Sequence, residues 1–118
     1  MKKPAVIATA LSLLFVIACR KVSTTTYDCT GTAPTYTTDI KPIMDANCAL
    51  SGCHNAASRE AGFDLSNYNG VVSASASAAF LGAIEHLSRY DAMPRNASKL
   101  DDALIKKIYC WANNGKAQ

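Results

Sequence analysis

The sequence predicts a small all-α domain, on three observations. Ile40, Ile43, Met44 and Asn47 recur at helical spacing, and so do Leu104, Ile105, Ile108, Trp111 and Ala112. No run alternates with the period of two that marks a strand. The ordered portion, Thr38 to Gly115, is about 78 residues, which is little for a self-sufficient apolar core. A chain of that size calls for a cross-link, a metal or another covalent staple.

Lys2 and Lys3 precede an apolar run from Ala5 to Ala18 that only Thr9 and Ser12 interrupt. The run is shorter than the ~20 apolar residues a spanning helix needs, and it ends in Val16-Ile17-Ala18-Cys19. Residues 1–18 therefore read as a secretory signal. The alternative to a lipid site at its end is an ordinary signal peptide with an incidental cysteine. The run resembles a bacterial lipoprotein signal. That resemblance implies a diacylglyceryl group on Cys19, cleavage ahead of it, and an exported protein anchored to a cell-envelope membrane, facing the periplasm or the exterior. Cleavage there removes two of the 12 basic side chains and leaves 10 against 9 acidic ones. So even a balance gives no nucleic-acid footprint.

Residues 19–37 are rich in threonine and punctuated by Gly31 and Pro34, with neither helical nor strand periodicity. They read as a lipidated tether ahead of a domain spanning 38–118. Cys29 is out of place in a pure linker. The first helix is expected from Asp39 to Asn47, with Thr38 as its cap and Pro42 in the first turn, where N–H donors are spare. It runs directly into Cys48-Ala49-Leu50-Ser51-Gly52-Cys53-His54.

Two thiols close in sequence, the second followed at once by an imidazole, is the pattern by which a chain holds a c-type haem. Cys48 and Cys53 would form thioethers to the vinyl groups, and His54 would bind the iron. The usual spacer between the cysteines is two residues and this one is four. Ser51 and Gly52 suit an outward bulge that accommodates the extra pair. Two other chemistries fit the stretch. One is a zinc site using Cys48, Cys53 and either His54 or His86, and the other a plain Cys48–Cys53 disulfide. A thioredoxin-like redox pair fits less well, because no strand–helix alternation surrounds it.

After His54 a polar loop is expected over 55–62, with Phe63 and Leu65 as wall residues. A short helix is expected over 66–72 with Tyr68 and Val71 inward, then a loop over 73–77. Ser77 would cap a helix over 78–87 whose stripe is Phe80, Leu81, Ile84 and Leu87. Residues 88–98 read as loop. The last helix is capped by Asp101, favoured by Asp102 at its positive end, and stopped by Gly115.

With Cys19 assigned to lipid and Cys48 and Cys53 to haem, Cys29 and Cys110 remain as a pair, and an oxidising exported compartment favours their disulfide. Met93 is the candidate sixth ligand, because thioether sulfur is common in electron-transfer haems and Pro94 stiffens its loop. His86 is the rival, and an open sixth position the third possibility.

Together these features resemble the class I monohaem c-type cytochromes, most of all small lipoprotein cytochromes with inserted residues in the attachment motif. The resemblance covers Thr38 to Gly115, two-thirds of the chain. It implies an all-α domain wrapped around one covalent haem c, with Cys48 and Cys53 as thioethers and His54 and Met93 as axial ligands. It also implies a close crossing of first and last helices, Ile43, Met44 and Ala46 facing Ile108 and Trp111. The expected function is one-electron transfer between transient redox protein partners at a membrane, with no small-molecule substrate and no nucleic acid. The competing expectations are a haem enzyme or gas- or peroxide-responsive module with open iron, and a haem-free zinc or disulfide lipoprotein.

Overall fold

The computed structural model describes residues 23–118. The expected signal over 1–18 and the lipidation candidate Cys19 lie outside the described residues. Among the described residues the chain is all-α, with four α-helices and no strand. A wide π-type turn, Tyr36–Ile40, leads into α1 (Lys41–Asn47). Helix α2 spans Tyr68–Ser75, α3 Ala78–Ile84 and α4 Asp102–Asn113. None is long and apolar enough to cross a membrane.

The first helical segment starts at Tyr36, ahead of the expected Asp39, and its cap is Thr35 in place of Thr38. The Thr35 hydroxyl accepts the Thr38 N–H at 3.4 Å, and the Asp39 carboxylate accepts the Thr35 N–H at 3.0 Å. This is a reciprocal cap stretched by one residue. The stretch follows from the wide first turn, in which Ile40 N–H reaches Thr35 C=O at 3.2 Å and Lys41 N–H reaches Tyr36 C=O. Pro42 interrupts the regular ladder just beyond, because it has no N–H for the carbonyl four residues back. Wide turns of this kind accommodate such interruptions.

Ile40, Met44, Val71, Ile105, Ile108 and Trp111 are fully buried and form the centre of one core. Helix α4 packs mainly on the Tyr36–Ile40 turn. Ile43 and Met44 are buried as expected, but Ala46 is exposed. The early start moves the crossing towards the N-terminus, and Ala46 lies past it. Tyr36, Tyr68 and Trp111 pack ring to ring, with centroids 5.2, 6.1 and 6.3 Å apart. The C-terminal residues fold back on this trio. Trp111 Nε1–H and Tyr36 N–H both donate to Ala117 C=O at 2.8 Å, and the Tyr68 hydroxyl donates to Lys116 C=O at 2.8 Å. Gly115, at φ +89°, makes that return possible, in the terminating role expected of it.

Two helices have other limits than their periodicity predicts. Helix α2 begins after Asn67, whose side chain accepts the Gly70 N–H at 2.9 Å, and it continues into the serine–alanine run expected to be loop, as far as Ser75. Ala74 and Ser75 are buried there, so packing decides what a nearly featureless stretch leaves open. Ser77 caps α3 through Ala79 N–H at 3.2 Å, as expected, but the helix ends at Ile84 and leaves Leu87 outside it. His86 takes a left-handed conformation, φ +55°, that closes the helix: Leu87 N–H returns to Gly82 C=O at 2.9 Å and His86 N–H to Ala83 C=O at 3.1 Å. Asp101 sits at the N-cap of α4 without a side-chain capping bond, and Lys99 pairs with Asp102 at 2.7 Å in the first turn.

The threonine-rich residues from 23 to 35 have no regular secondary structure but are fastened to the helical body. Cys29 is disulfide-bonded to Cys110 of α4. Tyr27 packs on Tyr109 with ring centroids 5.3 Å apart, and Thr25 N–H donates to the buried Glu85 carboxylate at 2.9 Å.

Candidate functional site

Helix α1 delivers Cys48 to the wall of a cavity of about 640 Å³, a size suited to a cofactor or another sizeable ligand. The helix ends there because Cys48 N–H and Ala49 N–H both return to Met44 C=O at 2.8 Å. The spacer then bulges outward: Leu50, Ser51 and Gly52 are exposed, and Cys53 N–H closes a tight turn on Leu50 C=O at 3.0 Å. Gly52 holds φ +75° at the third position of that turn, which disfavours any side chain. His54 N–H returns to Cys48 C=O at 3.1 Å, so the longer spacer still brings both cysteines and the histidine to one place.

Both cysteines are free thiols and both line the cavity. Cys48 is buried, and burial, with a smaller contribution from Cys53 beside it, pushes its thiol up to about 11. It is therefore a protonated, apolar-embedded sulfur at neutral pH. His54 also lines the cavity and is only 9 % exposed. Its ring stands edge-on to Phe63, with centroids 6.3 Å apart, and Nδ1 is buried without a hydrogen-bond partner. A buried imidazole nitrogen left unpaired is costly, which is expected where the ring has a further ligand to hold. The loop after His54 is tied back by Glu60 N–H to Cys53 C=O at 2.9 Å and by Leu65 N–H to His54 C=O at 2.7 Å.

Met93 reaches the same cavity from the segment between α3 and α4. Its N–H donates to Ala83 C=O at 3.0 Å, which ties the loop to the end of α3. His86 is not among the lining residues; its Nε2 lies 3.1 Å from Met93 C=O. Cys48, Cys53, His54 and Met93 thus share one cavity, and His86, the rival ligand, does not join them. Phe63 and Leu65 line it as expected.

Phe80, Ile84 and Tyr90 complete much of the apolar wall, and Asp91 and Arg95 stand at it 3.9 Å apart. Tyr90 lay in an aperiodic segment and had no signal of its own. Gly82 carried one: a glycine within an apolar helical stripe marks a close approach. Tyr90 packs so tightly over Gly82 that a Cβ there would collide with its ring.

Among the described residues no group of three or more His, Cys, Asp or Glu side chains is placed to hold a metal ion, so the zinc arrangement finds no ligand set there. The residues present fit a covalently held haem better: two free thiols for thioethers, an adjacent buried imidazole, a thioether sulfur, and apolar walls between them. Comparison with protein families, with curated proteins and with solved structures returns no match for this chain, so the chemistry of the site rests on its own residues.

Proposed function

We propose that the chain is a membrane-anchored monohaem c-type cytochrome of the class I kind, an electron carrier with no substrate reaction of its own. The observation that carries this reading is the convergence of Cys48, Cys53, His54 and Met93 on one largely apolar cavity. Cys48 and Cys53 would hold the haem through thioethers, and His54 and Met93 would bind its iron. Haem would supply a one-electron iron couple when bound, and with His54 and Met93 both holding the iron no position would remain for a substrate.

The chain's own residues set the conditions for that couple. Cys48, at the end of α1, and Cys53, after the tight turn, fix the cofactor at two points. Leu65, Phe80 and Ile84 exclude water from one side of the cavity, and a low dielectric there favours the less charged, reduced state. The Met93 sulfur favours the same state relative to a second imidazole. Partners would be redox proteins in small, transient contact. With Cys19 lipidated after export, the domain would work at a cell-envelope membrane surface, where anchoring raises its effective concentration near membrane-bound partners.

The test is production in a host able to attach haem c, followed by a pyridine haemochrome spectrum and peptide mass analysis. Both thiols should be consumed, and the peptide carrying Cys48 and Cys53 should gain the mass of one tetrapyrrole. Free thiols with no added mass would end the proposal.

A further inference from the structure

The end of α3 grips Met93 by both of its backbone groups. Ala83 C=O accepts the Met93 N–H at 3.0 Å, and the His86 ring bonds Met93 C=O at 3.1 Å. A carbonyl only accepts, so His86 Nε2 carries the hydrogen. His86 does this from a left-handed backbone position, φ +55°, at the residue that terminates the helix. Glycine is the usual occupant of such a position because a Cβ is disfavoured there. A histidine held there by the surrounding fold, with its ring on the candidate ligand's own carbonyl, points to a task beyond ending a helix.

We propose that His86 is a positioning residue for the sixth ligand. Its hydrogen bond holds the Met93 backbone so that the thioether stays in the cavity, and it thereby sets how easily an external ligand displaces that sulfur. The inference rests on the haem reading above and deepens it. Without the His86 anchor, Met93 keeps only its N–H attachment to Ala83, and the segment leading to Arg95 is freer to swing out.

The experiment uses full-length holoprotein and compares wild type with His86→Gly and His86→Gln. Glycine suits the left-handed backbone and removes the donor, and glutamine keeps an N–H donor at similar reach. Ferric protein is titrated with imidazole while the weak red-edge band of methionine-ligated iron is followed. A net hydrogen bond of ordinary strength predicts that His86→Gly binds imidazole about 2- to 10-fold more tightly than wild type, with His86→Gln close to wild type. A thermal melt runs alongside, since a residue that only ends the helix would change the melt without changing imidazole affinity. Unchanged affinity in His86→Gly, or the same loosening in His86→Gln, overturns the proposal. A wild-type protein with no haemochrome removes the haem reading itself, and that outcome is read before any titration.

Discussion

Cys48 and Met93 carry the residue-scale consequences. In protein made without haem attachment, burial keeps the Cys48 sulfur protonated, with only about one molecule in a thousand ionised at pH 8. Alkylation at that pH should therefore mark Cys53 well before Cys48, as read by peptide mass, and equal rates would contradict the buried thiol. The same shift has a pH signature. A folded thiol at about 11 against an ordinary value of 9.0 means that the unfolded chain releases its proton first. Stability is then undiminished below pH 9 and falls as pH rises towards 11, by at most about 3 kcal/mol. Denaturant melts of the haem-free chain across that range, against Cys48→Ala, measure the difference, and thioether formation should abolish it. In the holoprotein, Met93→Ala should lower the reduction potential and let cyanide or carbon monoxide bind; an unchanged spectrum would rule out Met93 as a ligand. The meeting of Cys48, Cys53 and His54 at one cavity was legible in sequence because the three lie within seven consecutive positions. The task proposed for His86 was not, since it depends on a left-handed turn and on a carbonyl seven residues away.

At the scale of the element, the first helix depends on the reciprocal cap between Thr35 and Asp39. The Thr35 N–H, helped by Lys107 at 3.2 Å, holds the Asp39 carboxyl below its ordinary value. That contribution is present at pH values above the ordinary carboxylate range and is lost as pH falls through the lowered value. Asp39→Ala should cost about 1 kcal/mol of stability at neutral pH, and the difference from wild type should shrink in acid. Urea denaturation at two pH values measures both, and a pH-independent difference would rule out the cap. Helix α4 could be read from its sequence because five apolar residues share one stripe ahead of a glycine, a pattern strong enough to survive any context. Only the first part of α2 could, from Tyr68 and Val71; its extension to Ser75 could not, because the serine–alanine run has no periodicity and the burial of Ala74 and Ser75 makes it helical. The wide turn before α1 was hidden for a related reason. Pro42 announces a helix start, but the same proline also fits the beginning of the second turn behind a stretched cap.

At the scale of the whole molecule, the Cys29–Cys110 bond joins residues 81 apart in sequence and holds the threonine-rich segment against α4. Replacing both cysteines by serine should lower stability by about 4 to 5 kcal/mol on the chain-entropy estimate. Chemical denaturation measures it, and a loss below about 1 kcal/mol would mean that the segment is held as firmly by Tyr109 and Glu85 as by the sulfurs. The Thr25–Glu85 bond has a wider consequence. Were Cys19 lipidated as proposed, six peptide steps would separate it from Thr25, whose N–H bonds Glu85, a span of at most about 20 Å. Under the proposed function, a carrier on so short a leash would not roam across the envelope. It would trade electrons only with centres lying within the lipid layer or protruding slightly above it.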